Sequence, residues 1–415
     1  MTMDRPMVGI LVGGGPAPGI NSVINAATIR SILGGCDVLG IIDGFRWLME
    51  GGTGQVRPLS IEDVSRIHFR GGSYLGTSRA NPTKSAELLD NVLFSLSRLG
   101  VTRMVTIGGD DTAFSAMKLE ERSGGRLQVV HVPKTIDNDL DLPYSVPTFG
   151  FQTARHVGAE IVKNLMVDAR TTSRWYVVVT MGRKAGHLAL GIGKAAGATL
   201  TIIPEEFRER PVKLKRVVDL LIGAMIKRFE QGRTDGVAVV AEGLIEILDP
   251  HELGGLEHVE HDEHGHLRMT EVDLGDVLRR ELTKQLRALG LSVTMVSKNV
   301  GYELRCADPI PYDIEYTRDL GYCAAQYLLD GGTAAMVSIQ NGQFIPIPFK
   351  QMVDSSTGRT RVRMVETESQ SYLIARQYMI RLNEDDLKNQ DAVARYASVA
   401  NLPIDVFRER FKTIL

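Results

Sequence analysis

The chain has 415 residues, 43% of them hydrophobic and 24% charged, with a formal net charge of −2. That length is long for one core, so two lobes are expected, and the near balance of charge leaves no footprint for nucleic acid or an anionic membrane; any polyanionic ligand must be held by a local cluster. No uncharged run approaches the roughly eighteen residues that span a bilayer, and Asp4 and Arg5 stand ahead of the first apolar run, so a cytoplasmic protein is expected.

In chain order, "MVGILV" (7–12) reads as a strand, followed by a glycine loop and the helix "INSVINAATIRSIL" (20–33). Next come "VLGIID" (38–43), a helix across 84–100 with Gly100 as its carboxyl-terminal cap, "MVTI" (104–107) and "QVVHV" (128–132). A second series follows: "WYVVVTM" (175–181), "GHLALGIGKAAG" (186–197), "TLTII" (199–203), a helix between Pro211 and Gly232, and "GVAVVAEG" (236–243). Short Val- and Ile-rich runs alternating with helical patterns argue for doubly wound parallel sheets, one per series. His251, His258, His261, His264 and His266 crowd a segment that breaks this pattern; their spacings repeat no ligand frame, and a solvated loop is favoured over a metal site. Cys36, Cys306 and Cys323 have no metal or redox spacing, so reduced, buried thiols are expected. The tail from Glu366 is helical and charged, and should pack on a lobe or an interface.

Several strand ends carry residues that suit phosphate chemistry. In "LVGGGPAPGIN", Gly13, Gly14, Gly15 and Gly19 separate a strand from a helix, so backbone N–H groups and a helix dipole can approach an anion without a Cβ in the way. A tight strand-to-helix turn would use the same glycines. Asp110 and Asp111 leave the 104–107 strand at its carboxyl end, where open α/β sheets bind ligands; a hard cation bridging phosphates would use one carboxylate, although the pair could also cap a helix. Lys134, Thr135, Asp137 and Asp139 follow the neighbouring strand. A lysine beside two carboxylates points to phosphoryl transfer, against the alternative of an Asx-rich turn. Arg170, Arg174, Arg183, Glu242, Tyr302 and Arg305 recur near further strand ends; guanidinium forks bind phosphate oxygens bidentately, though any one could be a surface ion pair.

Together "GGGPAPGIN", "GGSYLGTSR", "GGDDT", "PKTIDND", "TSRWYVVVTMGRKAGH", "AEG" and "GYELRCADPIPYD" resemble, in order along nearly the whole chain, the phosphofructokinase family. The resemblance implies an α/β fold of two doubly wound, Rossmann-like lobes with the active site in the cleft between them. It implies Mg2+-assisted phosphoryl transfer to the 1-hydroxyl of fructose 6-phosphate, from ATP or from inorganic pyrophosphate. By position, Asp137 matches the proton acceptor, Asp110 the magnesium-associated aspartate, and Gly14 and Gly15 the donor loop, with Arg79 near the transferred phosphate. Thr135, Ile136, Asp139, Met181, Gly182, Arg183, Glu242, Tyr302, Glu303, Leu304 and Arg305 match sugar-phosphate contacts, and Arg174 matches an arginine that the family often lends from a neighbouring subunit, which implies a homodimer or larger even oligomer.

ATP-using relatives typically carry glycine where Asp111 and Lys134 stand, and pyrophosphate-using relatives look like this chain at both places. Fixed charge at Asp111 would repel a nucleotide's α-phosphate; two unit charges ~4 Å apart at an effective dielectric of ~20 repel by roughly 4 kcal/mol, about three decades of affinity. Lys134 would stabilise charge on the leaving phosphate. The expectation is therefore a reversible, pyrophosphate-dependent 6-phosphofructokinase. An ATP-dependent enzyme of the same family, or a catalytically silent sugar-phosphate sensor, are the alternatives; a Rossmann oxidoreductase lacks its fingerprint. Cys306, Ala307 and Ile314 stand where many ATP-using relatives carry a glycine pair and an arginine, so the 6-phosphate is gripped differently here; Arg318 could compensate, but a surface helical arginine is the favoured reading. The donor lobe is expected over 1–145, completed by about 310–360, and the sugar-phosphate lobe over 146–309, with 361–415 as a helical tail.

Overall fold

The structure, a computed structural model, describes residues 5–143, 146–254, 272–352 and 361–414. From the amino end, β1 (Met7–Val12), α1 (Ile20–Leu33), β2 (Asp37–Ile41), β3 (Val56–Pro58), α2 (Ala86–Arg98), β4 (Val101–Gly108), α3 (Asp110–Ser123) and β5 (Gln128–Pro133) form the first series. The second is α4 (Phe151–Thr172), β6 (Arg174–Thr180), α5 (His187–Ala196), β7 (Leu200–Ile202), α6 (Leu214–Glu230), β8 (Gly236–Ala241), α7 (Leu274–Ala288) and β9 (Thr294–Val300). After it come α8 (Tyr302–Arg305), α9 (Pro311–Leu329), β10 (Ala335–Met336) and β11 (Ile347–Pro348). The tail holds α10 (Gln370–Gln377), α11 (Glu384–Lys388), α12 (Gln390–Val399) and α13 (Ile404–Phe411). Single-turn helices and a small hairpin lie among these.

The chain divides into two compact units, residues 1–154 with 302–363 and residues 155–301 with 364–415. The first is built on a seven-stranded sheet ordered β11-β10-β5-β4-β1-β2-β3, with parallel pairing except at its two edges. Alternation along β1 shows why helices cover both faces: Val8, Ile10 and Val12 pack with Ile20, Ile24 and Leu320, while Leu11 packs with Val92, Leu96 and Ala116. The chain leaves β1 for β2 on one side and later places β4 on the other. The carboxyl ends of β1 and β4 therefore flank a topological switch point, where such sheets bind ligands.

The second unit is a four-stranded, all-parallel sheet ordered β7-β8-β6-β9, with its switch point between β6 and β9. Trp175 and Val177 lie in its core with Leu221, Met225 and Leu282, and the tail closes that core through Val393, Phe407 and Phe411.

Of the histidine-rich segment, His251 is exposed and His258 to His266 fall outside the described residues. The expectation of buried thiols fails at Cys306, which is exposed, whereas Cys36 is buried and Cys323 half-buried, all three free. Cys306 turns its carbonyl toward Gly71, where an added Cβ would lie 2.1 Å from that oxygen, so backbone packing fixes this turn.

Candidate active site

In the first unit the loop after β1 is anchored from below: Gly13 donates to the Ile107 carbonyl at 2.8 Å and Gly14 to the Ser78 carbonyl at 2.8 Å. Thr77 donates from its hydroxyl to the Gly14 carbonyl at 2.6 Å, which brings the Thr77–Arg79 segment alongside. Two glycines are required by space. A Cβ on Gly13 would lie 2.4 Å from Thr112 Oγ1, and one on Gly108 2.4 Å from Thr112 Cβ, so two strand ends close over one buried threonine.

Asp110 and Asp111 do not cap α3. Gly109 is its N-cap, and the aspartates are the first two helical residues, with the Asp111 amide donating to Asp110 Oδ1 at 2.9 Å. Their charges sit at the positive end of the helix, which lowers the cost of placing them together. Asp110 is half-buried and Asp111 exposed.

Lys134 follows β5 and is 4% exposed. Its amide donates to the Gly108 carbonyl at 2.7 Å, and its ammonium donates to the Gly15 carbonyl. A Cβ on Gly14 would come within 3.3 Å of Nζ, and one on Gly15 within 3.3 Å of Arg305 Cζ. Burial, helped by Arg305 and Arg79 and opposed by Asp137 and Asp110, draws the Lys134 pKa down from 10.5 to about 8. These five side chains therefore share one electrostatic neighbourhood around the glycine loop.

Beyond Lys134 the chain turns tightly. Asn138 has φ 57°, and Thr135 Oγ1 accepts from the Asp137 amide at 3.0 Å while donating to Asp139 Oδ1 at 3.1 Å. Ile136 is buried, and Leu304 fully so, leaving only their backbones to meet a ligand. Tyr302 is 78% exposed, with the Arg305 guanidinium 5.3 Å from its ring centroid. Arg305 thus stands beside the donor loop in the first unit; Arg318 is exposed on α9.

In the second unit the ends of β6, β8 and β9 converge. Met181 donates its amide to the Val300 carbonyl at 3.2 Å, and Gly243 donates to the Gly182 carbonyl at 3.1 Å. A Cβ on Gly243 would lie 2.4 Å from the Arg183 carbonyl, so Glu242 and Arg183 are held together by a backbone contact that only glycine permits. Arg183 Nε is 3.8 Å from Glu246. Arg174 is not part of this group. It opens β6, at the opposite end from Met181 and roughly 20 Å away at ~3.3 Å per residue; there it meets Asp168 at 3.7 Å. Arg170 lies on α4 and Arg174 at the amino end of β6, so neither stands at the carboxyl ends of the strands.

Two residues had no motif to announce them. His131 is buried in β5, donating from Nε2 to the Gly108 carbonyl at 3.0 Å, an atom that can only accept, and so accepting at Nδ1 from Thr106 at 2.9 Å. Burial holds its pKa down to about 3, so it is a neutral strut under the β4 end. Arg363, 5% exposed, donates into the turn after Lys134.

A glycine cradle at a switch point, ringed by a buried ammonium, guanidinium groups and carboxylates, defines a phosphoryl-transfer enzyme of the doubly wound α/β class. Residues 7–328 match the phosphofructokinase family, and the chain belongs to that family. It is 54% identical over 409 residues to a pyrophosphate–fructose 6-phosphate 1-phosphotransferase from Thermotoga maritima, covering 97% of each chain. It is 46% identical over 419 residues to the enzyme of that name from Naegleria fowleri, covering 99% of this chain and 96% of that one. An ATP-dependent 6-phosphofructokinase from Mycobacterium tuberculosis is 34% identical over 352 residues, 83% of this chain and 94% of that one. Among solved structures, a pyrophosphate-dependent phosphofructokinase from Nitrosospira multiformis shares the fold at a TM-score of 0.69 and 16% identity, covering 91% of this chain and 92% of that one. The Pichia pastoris phosphofructokinase matches at 0.67 and 21% identity over 100% of this chain, which spans 39% of that longer chain.

Proposed function

We propose that the chain catalyses reversible transfer of a phosphoryl group from inorganic pyrophosphate to the 1-hydroxyl of fructose 6-phosphate, giving fructose 1,6-bisphosphate and phosphate. The observation that carries the choice of donor is the buried Lys134 ammonium against the Gly14–Gly15 loop, with Asp111 in the first turn of α3. An ammonium held in low dielectric stabilises charge gathering on the leaving phosphate without reorganisation. The relatives at 54% and 46% identity carry the name of this activity. The relative at 34% named for ATP keeps that donor as the second reading.

The Asp137 carboxylate accepts the proton of the 1-hydroxyl as its oxygen attacks phosphorus, and the bond to the leaving phosphate breaks; such general-base positioning supplies ~10²–10⁴ in rate. Gly14, Gly15 and Arg79 hold the donor. Thr135, Ile136, Asp139, Met181, Gly182, Arg183, Glu242, Tyr302, Glu303, Leu304 and Arg305 bind the sugar phosphate, the buried Ile136 and Leu304 through their backbones. Asp110, at the carboxyl end of β4, would hold Mg2+ through its carboxylate, a hard oxygen ligand that suits that ion. When bound, Mg2+ neutralises charge on the transferred group. Arg174, at the far end of β6, serves the site of a second copy in a homodimer or larger even oligomer. The working compartment is the cytoplasm.

The test is a side-by-side rate comparison with pyrophosphate and ATP at fixed fructose 6-phosphate and Mg2+. Turnover with pyrophosphate and little with ATP is expected; a preference for ATP overturns the assignment of Asp111 and Lys134.

A further inference from the structure

We propose that Arg363 is a positioning residue for phosphoryl transfer, a buried guanidinium that gathers the carbonyls of Asn138, Leu142, Pro143 and Val146 and so fixes where Asp137 points. The proposal rests on the reading of Asp137 as the base. Arg363 Nε donates to the Asn138 carbonyl at 3.1 Å. Nη1 donates to the carbonyls of Leu142 at 3.2 Å, Pro143 at 3.3 Å and Val146 at 2.9 Å, and Nη2 to Asn138 Oδ1. Its own amide donates to the Asp139 carbonyl at 2.8 Å, and Val362 pairs antiparallel with Leu140. The Val362–Arg363 segment is thus joined to Asp139–Leu140 by an isolated bridge.

A turn leaving a parallel strand presents carbonyls that no ladder satisfies, and burying them without donors is costly. Only arginine carries enough donors in one rigid plane to serve them together; lysine offers a single point, and methionine none. The arrangement reaches the reacting group in two steps. Asn138, held by Arg363 on its carbonyl and its side chain, is the left-handed residue between Asp137 and Asp139, and its Oδ1 also accepts from the Thr148 amide at 3.0 Å. Thr148 in turn donates from its hydroxyl to the Thr135 carbonyl at 2.7 Å, and Thr135 Oγ1 holds the Asp137 amide. Releasing the guanidinium therefore frees the backbone on both sides of Asp137 while leaving the donor cradle of Gly13–Gly15 in place.

The experiment compares Arg363→Lys, Arg363→Met, Arg363→Ala and Asp137→Asn in the full chain, measuring kcat, KM for both substrates and thermal midpoint. Misplacing a reacting group by about 1 Å costs up to ~10²-fold, so the Arg363 variants should lose roughly ten- to a hundredfold in kcat, with KM for pyrophosphate within about threefold. Millimolar guanidinium ion should restore part of kcat in Arg363→Ala and none in Asp137→Asn. Arg361→Gln, which removes a half-exposed ion pair to Asp141 at 2.8 Å, should stay within about twofold of wild type. If the Arg363 variants do not fold, Asn138→Gly decides. It keeps the left-handed turn and removes the acceptor shared by Arg363 and Thr148, and should lower kcat severalfold at constant KM. A lowered thermal midpoint with unchanged kcat in Arg363→Lys and Arg363→Met, or unchanged kcat in a folded Asn138→Gly, overturns the proposal. Retained turnover in Asp137→Asn instead removes the base assignment, whatever the arginine variants do.

Discussion

Replacing Lys134 by methionine removes the ammonium at nearly constant volume and separates what it does for the donor from what it costs the fold. Lys134 is 4% exposed, and burial with Arg305 and Arg79 nearby draws its pKa from 10.5 to about 8. At pH 7 the lysine is charged in both folded and unfolded chains, so the folded form carries a penalty on the order of 3 kcal/mol. Losing the bond to the Gly15 carbonyl gives back about 1–3 kcal/mol. Lys134→Met should therefore be as stable as wild type or slightly more so. Activity moves the other way: a hydrogen bond from a charged donor to phosphate contributes about 1.5–3 kcal/mol, so kcat/KM for pyrophosphate should fall roughly ten- to 150-fold. Both quantities depend on pH with a fixed sign. Between about 8 and 10.5 the unfolded lysine holds a proton that the folded one has released, so wild-type stability rises with pH in that window, and this contribution vanishes in Lys134→Met. Over the same window the free enzyme loses its ammonium, and kcat/KM for pyrophosphate falls. Urea titrations and initial rates from pH 6.5 to 10 measure the two together. A variant several kcal/mol less stable with an unchanged pyrophosphate rate would refute the reasoning, because the ammonium would then be a structural prop.

Asp111→Gly should raise kcat/KM for ATP by roughly ten- to a hundredfold; Asp111 is exposed, which places the repulsion at ~4 Å toward the low end of about 1–4 kcal/mol, and an unaltered ATP rate in coupled assays would sink the donor-exclusion argument. Gly13→Ala should destabilise the first unit by about 1–3 kcal/mol, because its Cβ would lie 2.4 Å from Thr112 Oγ1; adding Thr112→Ala should recover most of that loss in a double-mutant cycle on denaturation midpoints. Gly243→Ala, whose Cβ would lie 2.4 Å from the Arg183 carbonyl, should raise KM for fructose 6-phosphate while leaving KM for pyrophosphate unchanged, and equal effects on both would separate Arg183 from the sugar.

The parts of the fold visible in the sequence are those whose burial is uniform. β1, β4, β5, β6 and β8 are covered on both faces, so each appears as a continuous Val- and Ile-rich run, and Gly100, at φ 70°, stops α2 where expected. β9 escaped because Lys298 and Asn299 are exposed along it, and an edge strand buried only at Met295 and Val300 has no apolar run to read. β10 and β11 are two residues each and exist through pairing with β5 and with each other, contacts far apart in sequence. Burial of the tail against α6 is a tertiary event that its charged, helical pattern hints at without fixing.

At the site, the order of the motifs along the chain gives the proximity of some residues and not of others. The glycine loop, Asp110 and Lys134 follow three adjacent strands, so the alternation that gives the sheet also gives their proximity. Arg305 is different. It lies 171 positions beyond Lys134, and its place beside Gly15 depends on the chain returning to the first unit at Tyr302. That return sets the Arg305 guanidinium close enough to the Lys134 ammonium to oppose its charge. Burial of the Lys134 ammonium, helped by Arg305 and Arg79 and opposed by Asp137 and Asp110, lowers its affinity for a proton. On the proposed assignment, a donor rich in negative charge would offset the ammonium's lost solvation, most fully where charge on the leaving phosphate is greatest, so the cradle would favour the transition state over the empty site.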